Sequence, residues 1–179
     1  MTLFATLAGC SGVRLAGGAG PPGELRAAVV RTARSLLGQR RLEIGHRALP
    51  PDCWALPVAA YGAHGLLLGG GDAQGLRSAA QAAGRLKREG RPRAGDLVFL
   101  REGPEVHVGL VERVDSEGTL VVLQRMARGV VAYRLNFEHP SQATSPDGRR
   151  PWNDRLEGPG RGESRLAGEL YSGYAAFLP

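Results

Sequence analysis

Gly95-Asp96-Leu97-Val98-Phe99-Leu100, followed by Val106-His107-Val108-Gly109-Leu110-Val111, decides how this chain is read. Both segments are short, rich in β-branched and aromatic residues, and bounded by turn residues, so they read as strands. Two further runs, 120–124 and 130–135, have the same character, and the turn chemistry of Asp115-Ser116-Glu117-Gly118 precedes them. Successive short strands joined by tight turns predict an antiparallel meander. Upstream the period changes. Leu25, Val29, Ala33, Leu36 and Leu37 recur at helical spacing, and Gly38 stands where a C-cap belongs. Trp54, Leu56, Val58, Tyr61 and the leucines at 66–68 give a second helix, with Pro57 tolerated in or near its first turn. Gly69-Gly70-Gly71 separates it from an Ala-rich third helix at 74–87. Helices first and strands after predict an α+β fold, with N-terminal helices packed on one face of an antiparallel β-sheet.

A length of 179 residues suits one domain with its own core. At 42% apolar and 22% charged residues the composition is that of an ordinary globular chain, and 27 Gly with 12 Pro predict many loops. The net charge of +6 comes almost wholly from arginine, since Lys87 is the only lysine. Arg85, Lys87, Arg88, Arg91 and Arg93 lack interleaved aromatics and read as a solvated linker, so nucleic acid is not an expected partner. No His, Cys and carboxylate cluster has metal-ligand spacing, His46 and His64 read as loop or helix-surface residues, and neither metal nor cofactor is expected. A monomer is expected.

Residues 1–9 are short and apolar and lead into Leu7-Ala8-Gly9-Cys10-Ser11, which resembles a bacterial lipobox. On that reading Cys10 carries a lipid and holds the protein at the membrane of the cell envelope; the other reading is a disordered leader. Residues 13–23 are Gly, Ala and Pro-rich and read as a tether. The domain organisation is therefore a leader and tether at 1–23 and a single domain at 24–179. Within that domain, 139–162 is a loop-rich C-terminal extension and 166–178 an apolar close that adds a helix or an edge strand. No run reaches the roughly 20 apolar residues needed to span a bilayer.

The chemistry is concentrated at Pro50-Pro51-Asp52-Cys53-Trp54 and at His107. A cysteine attacks as its thiolate, and a helix N-terminus and a neighbouring imidazole are the two ways to favour that form near neutral pH. Asp52 is a good N-cap type, which places Cys53 in the first helical turn, and His107 sits in a strand where an apolar residue would otherwise stand. The bland alternatives are a core cysteine and a satisfied core histidine. Gly95 and Asp96 read as a structural turn.

These segments together resemble the NlpC/P60 family of papain-like cysteine peptidases, over about residues 25–137. Asp52-Cys53 stands where the family has Asp-Cys-Ser-Gly. Arg93-Ala94-Gly95-Asp96-Leu97-Val98-Phe99 looks like its Pro-Gly-Asp-Leu segment, and His107-Val108-Gly109-Leu110-Val111 like its His-Val-Gly-Ile strand. The resemblance implies a bacterial cell-wall hydrolase cutting amide bonds in peptidoglycan stem peptides through an acyl-enzyme on Cys53, with His107 as base. Gln124 matches the place of the polar residue that orients the imidazole, with Asn136 and His139 as alternatives. Asp52 is implied to meet a stem-peptide amine. The departures are Trp54 and Ala55 in place of Ser-Gly and the missing aromatic segment upstream, which make Trp54 a substrate-side residue. Competing expectations are an inactive binding or scaffolding module, and an amidase or acyltransferase using the same Cys-His pair.

Overall fold

The computed structural model describes residues 14–15, 22–157 and 164–179. Cys10 and most of the leader and tether lie outside them. Helix α1 (Pro22–Ser35) begins with proline at its first position, where the missing N–H costs nothing, and carries Glu24 in its first turn and Arg34 in its last, matching the helix dipole. It is followed by Gly38 at φ +77, as the sequence predicts. Helix α2 (Ala55–Gly62) is shorter than expected. The chain turns at Gly65, and Leu66–Leu67 pair with Arg14–Leu15 instead of continuing the helix. Helix α3 (Ala73–Ala82) is N-capped by Asp72, whose carboxylate accepts from the Gly75 N–H at 2.6 Å. It also stops early, at Gly84, because the next residues find partners in a sheet.

That sheet has six antiparallel strands: β1 (Leu86–Lys87), β2 (Leu97–Glu102), β3 (Glu105–Val114), β4 (Leu120–Met126), β5 (Gly129–Leu135) and β6 (Tyr171–Ala175). Their order is β1-β6-β2-β3-β4-β5. The predicted meander is β2 to β5, and the β3–β4 turn is built as its sequence suggests, with Asp115 Oδ1 accepting from the Glu117 and Thr119 N–H groups, both at 2.9 Å. Strand β6 lies inside the sheet, between β1 and β2, rather than at an edge. The basic stretch is correspondingly more than a solvated linker: Leu86–Lys87 is a strand, and Arg85 donates to the Phe177 carbonyl at 2.9 Å.

Side chains alternate across the sheet. Leu97, Phe99, Val108, Leu110 and Leu123 face α1, α2 and α3, where they meet Val29, Ala33, Leu56, Tyr61 and Leu76. The three N-terminal helices thus pack on one face, as expected. Val98, Leu100, Val111, Val122, Tyr133 and Leu135 face the other way, into a second buried cluster with Ala167, Leu170 and Tyr174. The C-terminal extension is therefore not merely a loop-rich tail. With the short helix α4 (Ala167–Leu170) it covers the second face of the sheet. Asn153 fixes it there: Oδ1 accepts from the Asn136 N–H at 2.7 Å, and Nδ2 donates to the His139 and Gln142 carbonyls at 2.9 and 2.8 Å. Buried backbone groups that would otherwise lack partners are satisfied in this way.

The buried Arg26–Asp96 pair, at 2.8 Å, joins α1 to the turn before β2, while the same guanidinium donates to the Ala94, Leu178 and Pro179 carbonyls. With four of the five guanidinium N–H groups engaged, and Asp96 Oδ2 accepting from the Arg93 N–H at 2.9 Å, Asp96 serves the fold, in keeping with the structural reading of Gly95-Asp96.

Candidate active site

Asp52, Cys53 and Trp54 form the turn that enters α2. The N-cap is Trp54, without a side-chain cap hydrogen bond, and Cys53 precedes the helix. This corrects the expectation of an Asp52 cap with Cys53 in the first turn. The Ala55 N–H bonds to the Asp52 carbonyl rather than to a cap side chain, because the turn is wound tightly ahead of the helix proper. Trp54 is half-buried against the helix-side core, and Arg125 holds the loop from below by donating to the Pro51 and Arg40 carbonyls at 2.9 and 3.1 Å.

The β3–β4 ladder runs from Leu110↔Leu123 to Val114↔Leu120, so β3 at 107–109 is unpaired on its β4 side. Cys53 fills that opening. Only 8% exposed, it lies in the helix-side core with its sulfur beside the Val108 backbone N–H. Burial pushes the thiol up to about 12 from an ordinary 9.0. The Val108 N–H works against that shift, and the neighbouring Asp52 carboxylate adds to it both as hydrogen-bond acceptor and as charge. The sequence-based expectation of a thiolate favoured by the helix start is therefore reversed. Loss of water around the sulfur outweighs the backbone donors of Val108 and of Cys53 itself, and Asp52 favours the protonated form.

His107 is the residue next to Val108, but alternation sends its side chain to the opposite face of β3. There it is 33% exposed, with Nε2 3.7 Å from Glu105 Oε2. No hydrogen bond joins it to Cys53, so the structure brings the two segments together without coupling their reactive atoms. Gln124 lies on the same face as His107 and is 4% exposed. Its Oε1 accepts from the Tyr133 hydroxyl at 2.7 Å rather than from the imidazole. The carboxylate nearest to the ring is Glu105, which the sequence reading did not single out.

Tyr133 was also missed. It is buried, and its phenol is pushed well above its ordinary value by desolvation and further by Cys53. A Cβ on Gly109 would stand 2.4 Å from Val122 Cγ1 and 3.5 Å from Tyr133 Oη. The glycine of Val-His-Val-Gly marks the close approach of the Val122 side chain and the Leu123 carbonyl, not the phenol, so no local signal pointed to Tyr133.

The alternative orienters lie elsewhere. Asn136 is bonded to Thr119 Oγ1 at 3.1 Å and caps the Glu138 and His139 N–H groups, while His139 stacks on Trp152 with ring centroids 4.2 Å apart. His64 ties the helices together through Thr32, at 2.9 Å. Among the described residues no group of His, Cys, Asp and Glu could hold a metal ion, and no helix is long and apolar enough to cross a membrane.

Iodoacetamide labelling against pH reads the state of this thiol. With peptide mapping to count Cys10 separately, Cys53 is expected to label slowly through the ordinary thiol range and to inflect toward pH 12. An inflection at or below the free-thiol value would contradict the buried, neutral thiol. Compared with known proteins, the chain matches no family model, no curated protein and no solved structure.

Proposed function

We propose that the protein is a cysteine hydrolase with a papain-like, NlpC/P60-type core, cleaving amide bonds in peptidoglycan stem peptides at the bacterial envelope. The supporting observation is the position of the Cys53 sulfur beside Val108, which brings the turn before α2 against the strand residue adjoining His107. With the thiol neutral at rest, the chemistry is general-base-assisted, as for a serine nucleophile, rather than that of a standing thiolate. His107 turns from Glu105 into the opening at Val108 and takes the thiol proton as the sulfur attacks the amide carbon. The Cys53 N–H helps to hold the oxyanion. The imidazolium then protonates the leaving amine, leaving a thioester on Cys53. His107 next takes a proton from water, whose oxygen attacks the thioester, and returns that proton to the departing sulfur.

Glu105 holds the ring at rest, before it turns to the thiol. Gln124 can accept from the imidazole only through the second lone pair of Oε1, the first being occupied by Tyr133. Asp52 and Trp54 border the thiol on the substrate side, and a lipid on Cys10 would tether the domain to the membrane.

A second reading, an inactive module that binds peptidoglycan or a partner, is favoured by the buried high-pKa thiol and the missing Cys53–His107 bond. Defined muropeptides separate the two. Hydrolysis gives two fragments whose masses sum to substrate plus one water, and the masses identify the bond, including a muramoyl amide. Transfer of the acyl group to an added amine marks an acyltransferase. Retention of muropeptide without any new mass over prolonged incubation would remove the hydrolase reading and leave the binding module.

A further inference from the structure

We propose that Arg77, Arg88 and Arg101 form a binding site for a dianionic oxyanion on the helix side of the sheet. The fold brings them together from three elements. Arg77 belongs to α3, which packs on β1 and β3; Arg88 follows β1; Arg101 ends the row Leu97, Phe99, Arg101 on the helix face of β2. Arg77 is only 8% exposed, and its Nε is buried without a hydrogen-bond partner. Seven ion pairs join described residues, and none uses any of these three arginines.

A buried guanidinium ordinarily has a carboxylate or carbonyls around it, as Arg26 has. Arg77 instead has two exposed cations, Arg101 and Arg88, as its charged neighbours, and desolvation first, then these two charges, lower its proton affinity. Like charges held together without an acceptor oppose folding. An oxyanion between them supplies the missing acceptor, offsets the repulsion and matches the planar guanidinium fork. Three cations favour a dianion over a single charge.

The site is independent of thiol chemistry, yet it adjoins the thiol. Arg101 pairs with Val106, one step along the same face from the Phe99↔Val108 pair beside Cys53. The oxyanion therefore has two sources, free phosphate or the carboxylates of an acidic compound lying across Cys53.

Thermal unfolding and titration calorimetry of the full chain test this, with inorganic phosphate and N-acetylglutamate as probes against chloride at matched ionic strength. At least one probe is expected to raise Tm saturably. Arg101→Met should weaken that response at least tenfold, whereas Arg41→Ala, at an exposed position elsewhere, should retain it. Response to phosphate alone identifies a phosphate site, and response to N-acetylglutamate alone a carboxylate site. Arg77→Met should abolish the response and raise Tm in chloride, because it removes a buried Nε that lacks a partner and a cation whose charged neighbours are cations. No saturable response to either probe, an unchanged response in Arg101→Met, or a lower Tm for Arg77→Met in chloride would each overturn the assignment.

Discussion

Cys53→Ala protein is expected to lose lysis of purified peptidoglycan by at least about 10³-fold while retaining its fold, because removing a nucleophile leaves only binding and oxyanion stabilisation. The substitution exchanges a small buried side chain for a slightly smaller one, at a stability cost of about 1 kcal/mol. Circular dichroism and urea unfolding should therefore stay close to wild type while turnover disappears. Unchanged lysis would end the nucleophile assignment.

The same variant isolates the thiol's pH linkage. The folded thiol ionises at about 12 and the unfolded one near 9.0, so the native state retains a proton that the unfolded state gives up. Its stabilising contribution is complete below pH 9 and falls as pH rises toward 12. Any stability advantage of wild type over Cys53→Ala should shrink in that window and nowhere below it.

Phe99→Ala is expected to cost about 3–5 kcal/mol in urea unfolding, the largest stability effect proposed for this protein. Phe99 is fully buried in the middle of β2, opposite Val108 and within the cluster that joins the sheet to the three N-terminal helices. Truncation leaves a cavity bounded by strands on two sides, with little freedom to collapse. Domain stabilities are typically about 5–15 kcal/mol, so the variant stands near the edge of folding. Leu67→Ala is the natural control, since Leu67 is 62% exposed. A Phe99→Ala cost below about 1 kcal/mol would show that the helix-side cluster is not what holds the sheet and helices together.

Much of this architecture was legible before any coordinates. The change from helical to strand period after Gly90, the turn at 115–118 and the glycine after α1 are local signals, written by backbone preferences that act over a few residues. The meander from β2 to β5 and the packing of α1, α2 and α3 on one face follow from them. The early ends of α2 and α3 were not legible. Leu66–Leu67 and Leu86–Lys87 are as compatible with helix as with strand, and only partners distant in sequence, Arg14–Leu15 and Tyr174–Ala175, draw them into extended pairing.

The candidate site divides in the same way. Residue types and local context placed Cys53 in the first turn of a helix and His107 on a strand; the strand is as expected, Cys53 instead precedes the helix, and the tertiary fold brings the two segments into contact. Which face His107 points to was not readable, because β2 and β3 are apolar on both sides and one step of register reverses every side chain. The C-terminal extension made both sides apolar by covering the second face, and no local pattern announced it.

By itself, then, the sequence determined the three N-terminal helices and the four strands of the meander with their pairing. These depend on periodicity and turn chemistry that each segment carries within itself. Tertiary structure alone decided the interior position of β6, the second core, the Tyr133–Gln124 bond and the neutral state of Cys53. Burial and desolvation are set by whatever distant residues close over a group, and no stretch of chain encodes its own cover.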